Sequence, residues 1–90
     1  MMDIEPTLLN QLPIEQIDAV AFYKRDELTT DLICCDVQIA GKTWFFHEEM
    51  KGWDRLIKHL AQLPGFRSDW HAAVVRPPFV QSRTVAFKRT

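Results

Sequence analysis

The chain has 90 residues, of which 47% are hydrophobic and 26% are charged, and its formal net charge is −1. This length allows one core rather than two, and this composition excludes a disordered chain. No run approaches the roughly 20 apolar residues of a membrane span, and the first residues lack the features of a signal peptide, so we expect a cytoplasmic protein.

Residues 1–15 are predicted to form a peripheral segment, and residues 16–90 a single α+β domain. Pro6 and Pro13 lack an amide hydrogen, so the stretch between them is a poor central strand. It forms either one short helical turn or a strap without regular structure. As a strap it would cover the outer face of the sheet described below, through three leucines: Leu8, Leu9 and Leu12.

Residues 17–48 predict a meander of antiparallel strands. The first strand spans residues 17–24, and a charged turn follows at residues 25–27. In residues 32–39 and 42–48 the side chains alternate between two faces, as they do in a strand. The face that we expect to be buried carries these side chains: Val20, Phe22, Ile33, Cys35, Val37, Ile39, Trp44 and Phe46.

A tight hairpin is predicted between the second and third strands, because its glycine tolerates the positive φ that such turns require. The loop is either residues 40–41, which places Cys34 opposite His47, or residues 41–42, which places Asp36 opposite His47. Either register leaves these three side chains on the outer face of the sheet.

An amphipathic helix is predicted after the meander. Its apolar side chains recur with the period of a helix, and Pro64 and Gly65 end it. Asp54 lies in the first turn and Lys58 nearer the end, which suits the helix dipole. The stripe that we expect to pack on the sheet consists of Trp53, Leu56, Ile57, Leu60 and Leu63.

Two more strands are predicted after the helix, at residues 70–75 and 84–89. Residues 76–78 contain two prolines and cannot continue a hydrogen-bonded ladder. In the last strand Val85 and Phe87 are predicted to point inward. The predicted fold is therefore α+β: an antiparallel sheet in the order β-β-β-α-β-β, with one amphipathic helix packed on one sheet face.

Motifs for catalysis, metals and cofactors are weak in this sequence. His47 and Glu48 begin a zinc-protease pattern, but Lys51 stands where that pattern needs a second histidine. Cys34 and Cys35 are neighbours in a strand and point to opposite faces, so they cannot share a metal. We expect reduced thiols, with Cys35 buried and Cys34 half exposed, and we predict no cofactor, no metal and no catalytic residue.

The outer sheet face carries a candidate surface site formed by Cys34, Asp36, Phe45 and His47. A cysteine beside a histidine that an aspartate orients is a nucleophile arrangement, although no oxyanion-binding loop accompanies it. The same face is apolar at Leu32 and Phe45, with Tyr23 as a further candidate, which indicates either a covering element or a partner.

Charge is divided unevenly along the chain. Residues 1–66 contain six basic and eleven acidic residues, a net −5, and residues 67–90 contain five and one, a net +4. Opposite patches on two copies attract each other, which favours a homodimer. Basic residues also alternate with aromatic ones, as in single-stranded nucleic-acid surfaces, but the near-neutral total charge and the lack of a recognition motif argue against that partner. The aromatic residues concerned are Phe66, Trp70, Phe79 and Phe87.

Several strings resemble small uncharacterised bacterial proteins, namely residues 23–35, 44–49, 52–54, 63–66 and 77–79. The resemblance implies a bacterial domain of unknown function and carries over no activity or site. The sequence as a whole predicts a cytoplasmic protein-binding or assembly module without catalysis, whose partner is a second copy or another protein. The alternatives are a small-ligand-binding protein or minor enzyme on the Cys34/Asp36/His47 face, and a nucleic-acid binder through the basic C-terminal third.

Overall fold

A computed structural model describes residues 3–26, 31–75 and 83–89. In this part of the chain an antiparallel sheet of four strands has the order β3-β2-β1-β4, and helices cover one of its faces. The predicted α+β class is confirmed. The elements in chain order are α1 (Pro6–Leu9), a short 3-10 helix (Ile14–Gln16), β1 (Ile17–Asp26), β2 (Asp31–Ile39), β3 (Lys42–His47), α2 (Trp53–Leu60), α3 (Trp70–Val75) and β4 (Arg83–Lys88).

The hydrophobic core lies between the inner face of the sheet and the helices. Phe22 of β1 stacks on Trp70 of α3, with ring centroids 3.8 Å apart, and meets Trp53 and Phe66 edge-on at 6.3 Å. Aromatic pairs in these geometries stabilise a core beyond the area that they bury. The predicted stripe of α2 is confirmed, because its residues are buried in this core or packed against it.

The β2–β3 hairpin has a two-residue loop in which Ala40 and Gly41 have φ values of 52° and 80°. Two positive φ angles define a type I′ turn, whose twist suits two adjacent strands. Cys34 lies opposite His47, so the first of the two predicted registers is confirmed. The turn therefore fixes which side chains of β2 and β3 are neighbours on the outer face.

Residues 70–75 form the helix α3 and not the predicted strand. Trp70 and Val74 are both buried, and their spacing of one helical turn directs both side chains toward the sheet. The amide of Ala73 donates to the carbonyl of Asp69, at 3.1 Å, in the first turn. The order after α1 is therefore β-β-β-α-α-β in the described part of the chain, and α2 is joined by a second core helix.

The N-terminal segment lies on the helix side of the sheet. The amide of Ile4 donates to the carbonyl of Lys51 at 2.7 Å, and the guanidinium of Arg55 donates to the carbonyl of Ile4 at 2.9 Å. The imidazole of His59 donates to the carbonyl of Leu12 at 2.6 Å. Ile4 and Leu12 are fully buried. The segment that we predicted to be peripheral thus completes the core and leaves the outer sheet face alone.

The last strand, β4, contains a bulge opposite β1. Val20 faces Phe87 and the next residue, Ala21, faces Val85, so Ala86 is an extra residue in β4. Ala86 and Phe87 are both buried, whereas Val85 is exposed. The prediction that Val85 points inward is wrong, because the bulge interrupts the regular alternation of faces.

Two predicted features fall at least partly outside the described residues. β1 continues through residues 25 and 26, so these two residues belong to a strand and not to the predicted charged turn, and residue 27 is not described. The proline-containing residues 76–78 are likewise not described. No helix in the described ranges has the length and apolar character needed to cross a membrane.

Candidate functional site

Two adjoining rows of side chains cross the outer face of the sheet, with one residue from each strand in each row. Partners on neighbouring antiparallel strands have Cβ atoms about 5 Å apart, so each row is a continuous strip. We call the two rows together the outer patch. The first row is His47, Cys34, Tyr23 and Arg83, and the second is Phe45, Asp36, Ala21 and Val85. All four residues of the predicted surface site lie in this patch.

Asp36 is the polar centre of the outer patch. Its Oδ1 accepts a hydrogen bond from the hydroxyl of Tyr23 at 3.3 Å, and its Oδ2 accepts one from the guanidinium of Arg83 at 3.3 Å. The guanidinium also lies over the Tyr23 ring, 5.8 Å from its centroid. Burial of the hydroxyl, followed by the nearby Asp36 carboxylate, raises the pKa of Tyr23 to about 12.

Sequence reasoning did not place Arg83 in the site, and it treated Tyr23 only as part of the apolar surface. The position of Arg83 depends on the bulged pairing between β4 and β1, for which the sequence carries no signal. The position of Tyr23 followed from the strand pattern, because it alternates with Phe22.

The predicted nucleophile arrangement needs Asp36 to orient the His47 ring. Asp36 instead accepts hydrogen bonds from Tyr23 and Arg83. The Nδ1 atom of His47 accepts a hydrogen bond from the backbone amide of Glu49 at 3.3 Å. The thiol of Cys34 donates to the carbonyl of Leu32, with the sulfur 3.8 Å from the oxygen. Cys34 has no exposed surface, so the prediction that it is half exposed is wrong. The larger Tyr23 and His47 lie opposite it on the two flanking strands.

Cys35 lies on the inner face and belongs to the core. Burial raises the pKa of its thiol, and the neighbouring Asp36 and Cys34 add to that effect. A thiol with a raised pKa stays protonated at neutral pH and is a poor nucleophile. Neither cysteine forms a disulfide, and in the described residues no three His, Cys, Asp or Glu side chains are grouped so as to hold a metal ion.

The two ends of the second row are exposed apolar side chains. Phe45 is 40% exposed and Val85 is 51% exposed. α2, α3 and the N-terminal segment all pack on the opposite face, so none of these elements covers the row. Exposed apolar side chains on an uncovered sheet face are typical of contact surfaces.

The basic residues of the C-terminal third are largely engaged within the chain. Arg67 pairs with Asp69 at 2.7 Å, and Arg89 donates to two backbone carbonyls at 3.0 Å each. Arg76 and Phe79 lie outside the described residues. The other aromatic residues of the predicted nucleic-acid surface lie in the core or pack against it, which removes them from stacking on bases: Phe66, Trp70 and Phe87.

A groove opens on the helix side, between α2 and α3. Its volume is about 450 Å³. The rings of Trp53 and Trp70 meet edge-on at its border, 6.3 Å apart. The groove thus combines an aromatic wall with both acidic and basic groups. The lining residues are Trp53, Asp54, Ile57, Lys58, Trp70 and His71.

The fold and the outer patch together describe an α+β domain in which helices cover one sheet face and no described helix covers the other. No protein-family model, no curated protein and no solved structure matches the chain. The geometry of its own residues is therefore the basis for assigning a function.

Proposed function

We propose that this protein is a binding or assembly module that contacts another protein through the outer patch. The observation that carries the proposal is the contrast between the two faces of one sheet. Two helices and the N-terminal segment cover the inner face, whereas the outer face ends in exposed Phe45 and Val85. Burying such side chains against a partner is favourable because it removes apolar surface from water.

The chemistry of the patch defines the surface that would fit it. A complementary partner would present apolar side chains to Phe45 and Val85 at two separated points. It would present polar groups to the Asp36–Arg83 pair between them. Interface centres are typically apolar and aromatic, and a charged group that is buried there needs hydrogen-bonding partners. A partner with apolar anchors on either side of a polar strip meets both demands.

The proposed module works without catalysis and in the cytoplasm. Two buried thiols support this proposal, because neither is available as a nucleophile. Free cysteines are also the rule in a reducing compartment.

The experiment compares matched variants of the tagged protein in extracts of its host. Phe45→Lys and Val85→Lys place a charge on the patch, and Ala72→Lys places the same charge on the exposed surface of α3. We expect the unaltered chain and the Ala72→Lys variant to capture the same partner protein in equal amounts. Each patch variant should capture at least about tenfold less of it. Circular dichroism establishes that all the variants are folded. Equal capture by all of them, or by none, contradicts the proposal.

A second candidate function is small-ligand binding, and the groove between α2 and α3 favours it. The groove offers a better position than the Cys34/Asp36/His47 face, where the thiol is covered and Asp36 is engaged. Aromatic walls with a few polar groups are typical of such sites. A screen of small aromatic acids and amines by amide chemical shifts tests this candidate. Shifts confined to α2 and α3 would support it, and their absence would remove it.

A further inference from the structure

β3 is an edge strand with an open side. In the described sheet its only strand neighbour is β2. At the opposite edge, by contrast, the amide of Arg67 donates to the carbonyl of Ala86 in β4, at 2.8 Å. An edge strand presents unpaired N–H and C=O groups, which form a template for another strand.

The hairpin decides which backbone groups of β3 point outward. In a type I′ turn the carbonyl of Ile39 accepts the amide of Lys42, so that amide points at β2. The amide of Glu48 also points at β2, since it donates to the carbonyl of Ile33 at 3.0 Å. Backbone direction alternates along an antiparallel strand. The residues that direct their backbone groups to the open side are therefore Thr43, Phe45 and His47, although the carbonyl of His47 already accepts the amide of Met50 at 3.0 Å.

We infer that this open side pairs with β3 of a second copy of the chain, antiparallel, about a two-fold axis at Phe45. The two sheets then join into one continuous sheet. The inference rests on the proposed assembly function and names the partner as a second copy. This pairing engages the Phe45 end of the outer patch. The Val85 end lies on the far strand, β4, and stays accessible to a different protein.

Hydrogen bonding favours this register. With Phe45 opposite the partner's Phe45, Thr43 lies opposite the partner's His47, and His47 opposite the partner's Thr43. Every outward-pointing residue of β3 then faces an outward-pointing residue, so the two Phe45 residues exchange both of their N–H···O=C bonds and the amide of His47 reaches the carbonyl of the partner's Thr43. A shift of two residues in either direction leaves one end of the strand without a partner.

Charge and side-chain packing favour the same register. Lys42 lies opposite the partner's Glu48. One oxygen of the Glu48 carboxylate accepts the amide of Ile33 within the chain at 3.0 Å, and the second oxygen can pair with Lys42 across the contact. Phe46 is fully buried in the core of each chain, so the aromatic contact is made by the two Phe45 rings on the outer face. Pairs of this kind stabilise adjacent strands. After a two-residue shift Lys42 faces an uncharged residue. The charges of two β3 strands therefore complement each other only when Phe45 lies opposite Phe45.

β3 carries one exposed lysine, Lys42, at its start, but it lacks two other features that prevent strand addition. It contains no proline, and its pairing with β2 shows no bulge. Its central residue, Phe45, is exposed. Natural edge strands usually avoid pairing through prolines, bulges or inward-pointing charges. The sequence of β3 therefore suits a paired strand better than a free edge.

Hydrogen exchange of individual amides tests the inference, with sedimentation reporting the oligomeric state. We expect the Phe45 amide to become at least about tenfold better protected between low and high micromolar concentration, as the dimer forms. The amides of Trp44 and Phe46 already point at β2 and serve as internal controls that change little. A Phe45 amide that exchanges rapidly at all concentrations overturns the inference, whether or not a dimer is present.

Disulfide trapping supplies a second readout. Phe45→Cys places two thiols opposite each other at the two-fold axis, within reach of a disulfide when oxidised glutathione is added as the oxidant. Val85→Cys places an equally exposed thiol on the same face but on the far strand. We expect rapid covalent dimerisation of the first variant and slow dimerisation of the second. Equal rates contradict pairing through β3.

The Thr43→Pro variant removes one outward amide and leaves the bonds between β3 and β2 intact, so we expect a folded monomer. A dimer that persists in this folded variant also overturns the inference. If capture depends on Val85 but the Phe45 amide stays unprotected, the proposed function stands and the inference fails. If β3 pairs but neither patch variant changes capture, the inference stands and the outer patch loses its proposed role.

Discussion

The two faces of the sheet bury their residues by different means. On the inner face Phe22 and Cys35 lie beneath helices and have no exposed surface. On the outer face Ala21 and Cys34 are also buried, whereas Phe45, on the adjoining edge strand, is exposed. The inner face, which helices cover, excludes water from the large side chains at its centre. On the outer face, which no described helix covers, the small central residues are buried, and the larger side chains of Phe45 and Val85 at the two edges are exposed.

Thiol reactivity tests this comparison with the largest expected effect. Both cysteines are buried, so we expect a thiol reagent to label the native protein about 10³-fold more slowly than the unfolded chain. Cys34 lies on the sheet face that no described helix covers, so local opening should expose it before Cys35. Tandem mass spectrometry distinguishes the two positions. Rapid labelling of either thiol, or labelling of Cys35 first, contradicts the assignment of the faces.

Shortening one side chain on each face of the sheet should give the next largest effect. Leu60 is fully buried in the core, so Leu60→Ala should lower the free energy of unfolding by about 2–5 kcal/mol. Val85 is exposed on the outer face, so Val85→Ala should change it by less than about 0.5 kcal/mol. Urea unfolding of both variants measures the difference. Similar values for the two would show that the faces are not distinct.

A pair of glycines tests how the N-terminal segment packs on the helix side. Gly52 and Gly41 both have positive φ, so alanine is strained at either position. A Cβ at Gly52 would collide with the carbonyl of Ile4, whereas a Cβ at Gly41 meets nothing within 4 Å. We expect Gly52→Ala to lower the free energy of unfolding by about 1–3 kcal/mol more than Gly41→Ala does. Equal losses in urea unfolding would mean that the segment does not pack there.

Titration of Tyr23 gives the smallest effect. The chain has one tyrosine, so ultraviolet absorbance reports this hydroxyl alone. We expect a midpoint near the raised pKa of about 12, and a lower midpoint in Asp36→Asn, which removes one cause of the shift. The folded protein keeps the proton between pH 10 and pH 12 while the unfolded chain loses it, so stability falls as pH rises through this window. A midpoint at 10 would place Tyr23 in water.

Features set by short-range patterns could be predicted from the sequence. A two-residue loop that contains Gly41 narrowed the hairpin register to two alternatives, because residues next to the loop determine every later pair, and the structure selects the first. The stripe of α2 follows from side chains one helical turn apart. These two elements also placed the four candidate residues of β2 and β3 together on one face.

Features set by distant neighbours could not be predicted. Trp70 and Val74 are spaced for a helix, but the adjacent β-branched residues at the end of this segment favoured a strand, and packing against Phe22 decided the outcome. The bulge at Ala86 exists only in the pairing of β4 with β1. The burial of Cys34 depends on side chains from both flanking strands. Each of these needs the tertiary structure, which sequence periodicity does not contain.

The position of β1 in the sheet has a consequence for the chain as it leaves the ribosome. β1 pairs on one side with β2, which follows it directly, and on the other side with β4, the last strand described. The meander can form while the remainder is still being translated, but the second edge of β1 stays open until β4 emerges. Incomplete chains with an unpaired strand edge associate readily with one another. Translation of the segment between β3 and β4 is therefore the period in which a nascent chain most needs a chaperone.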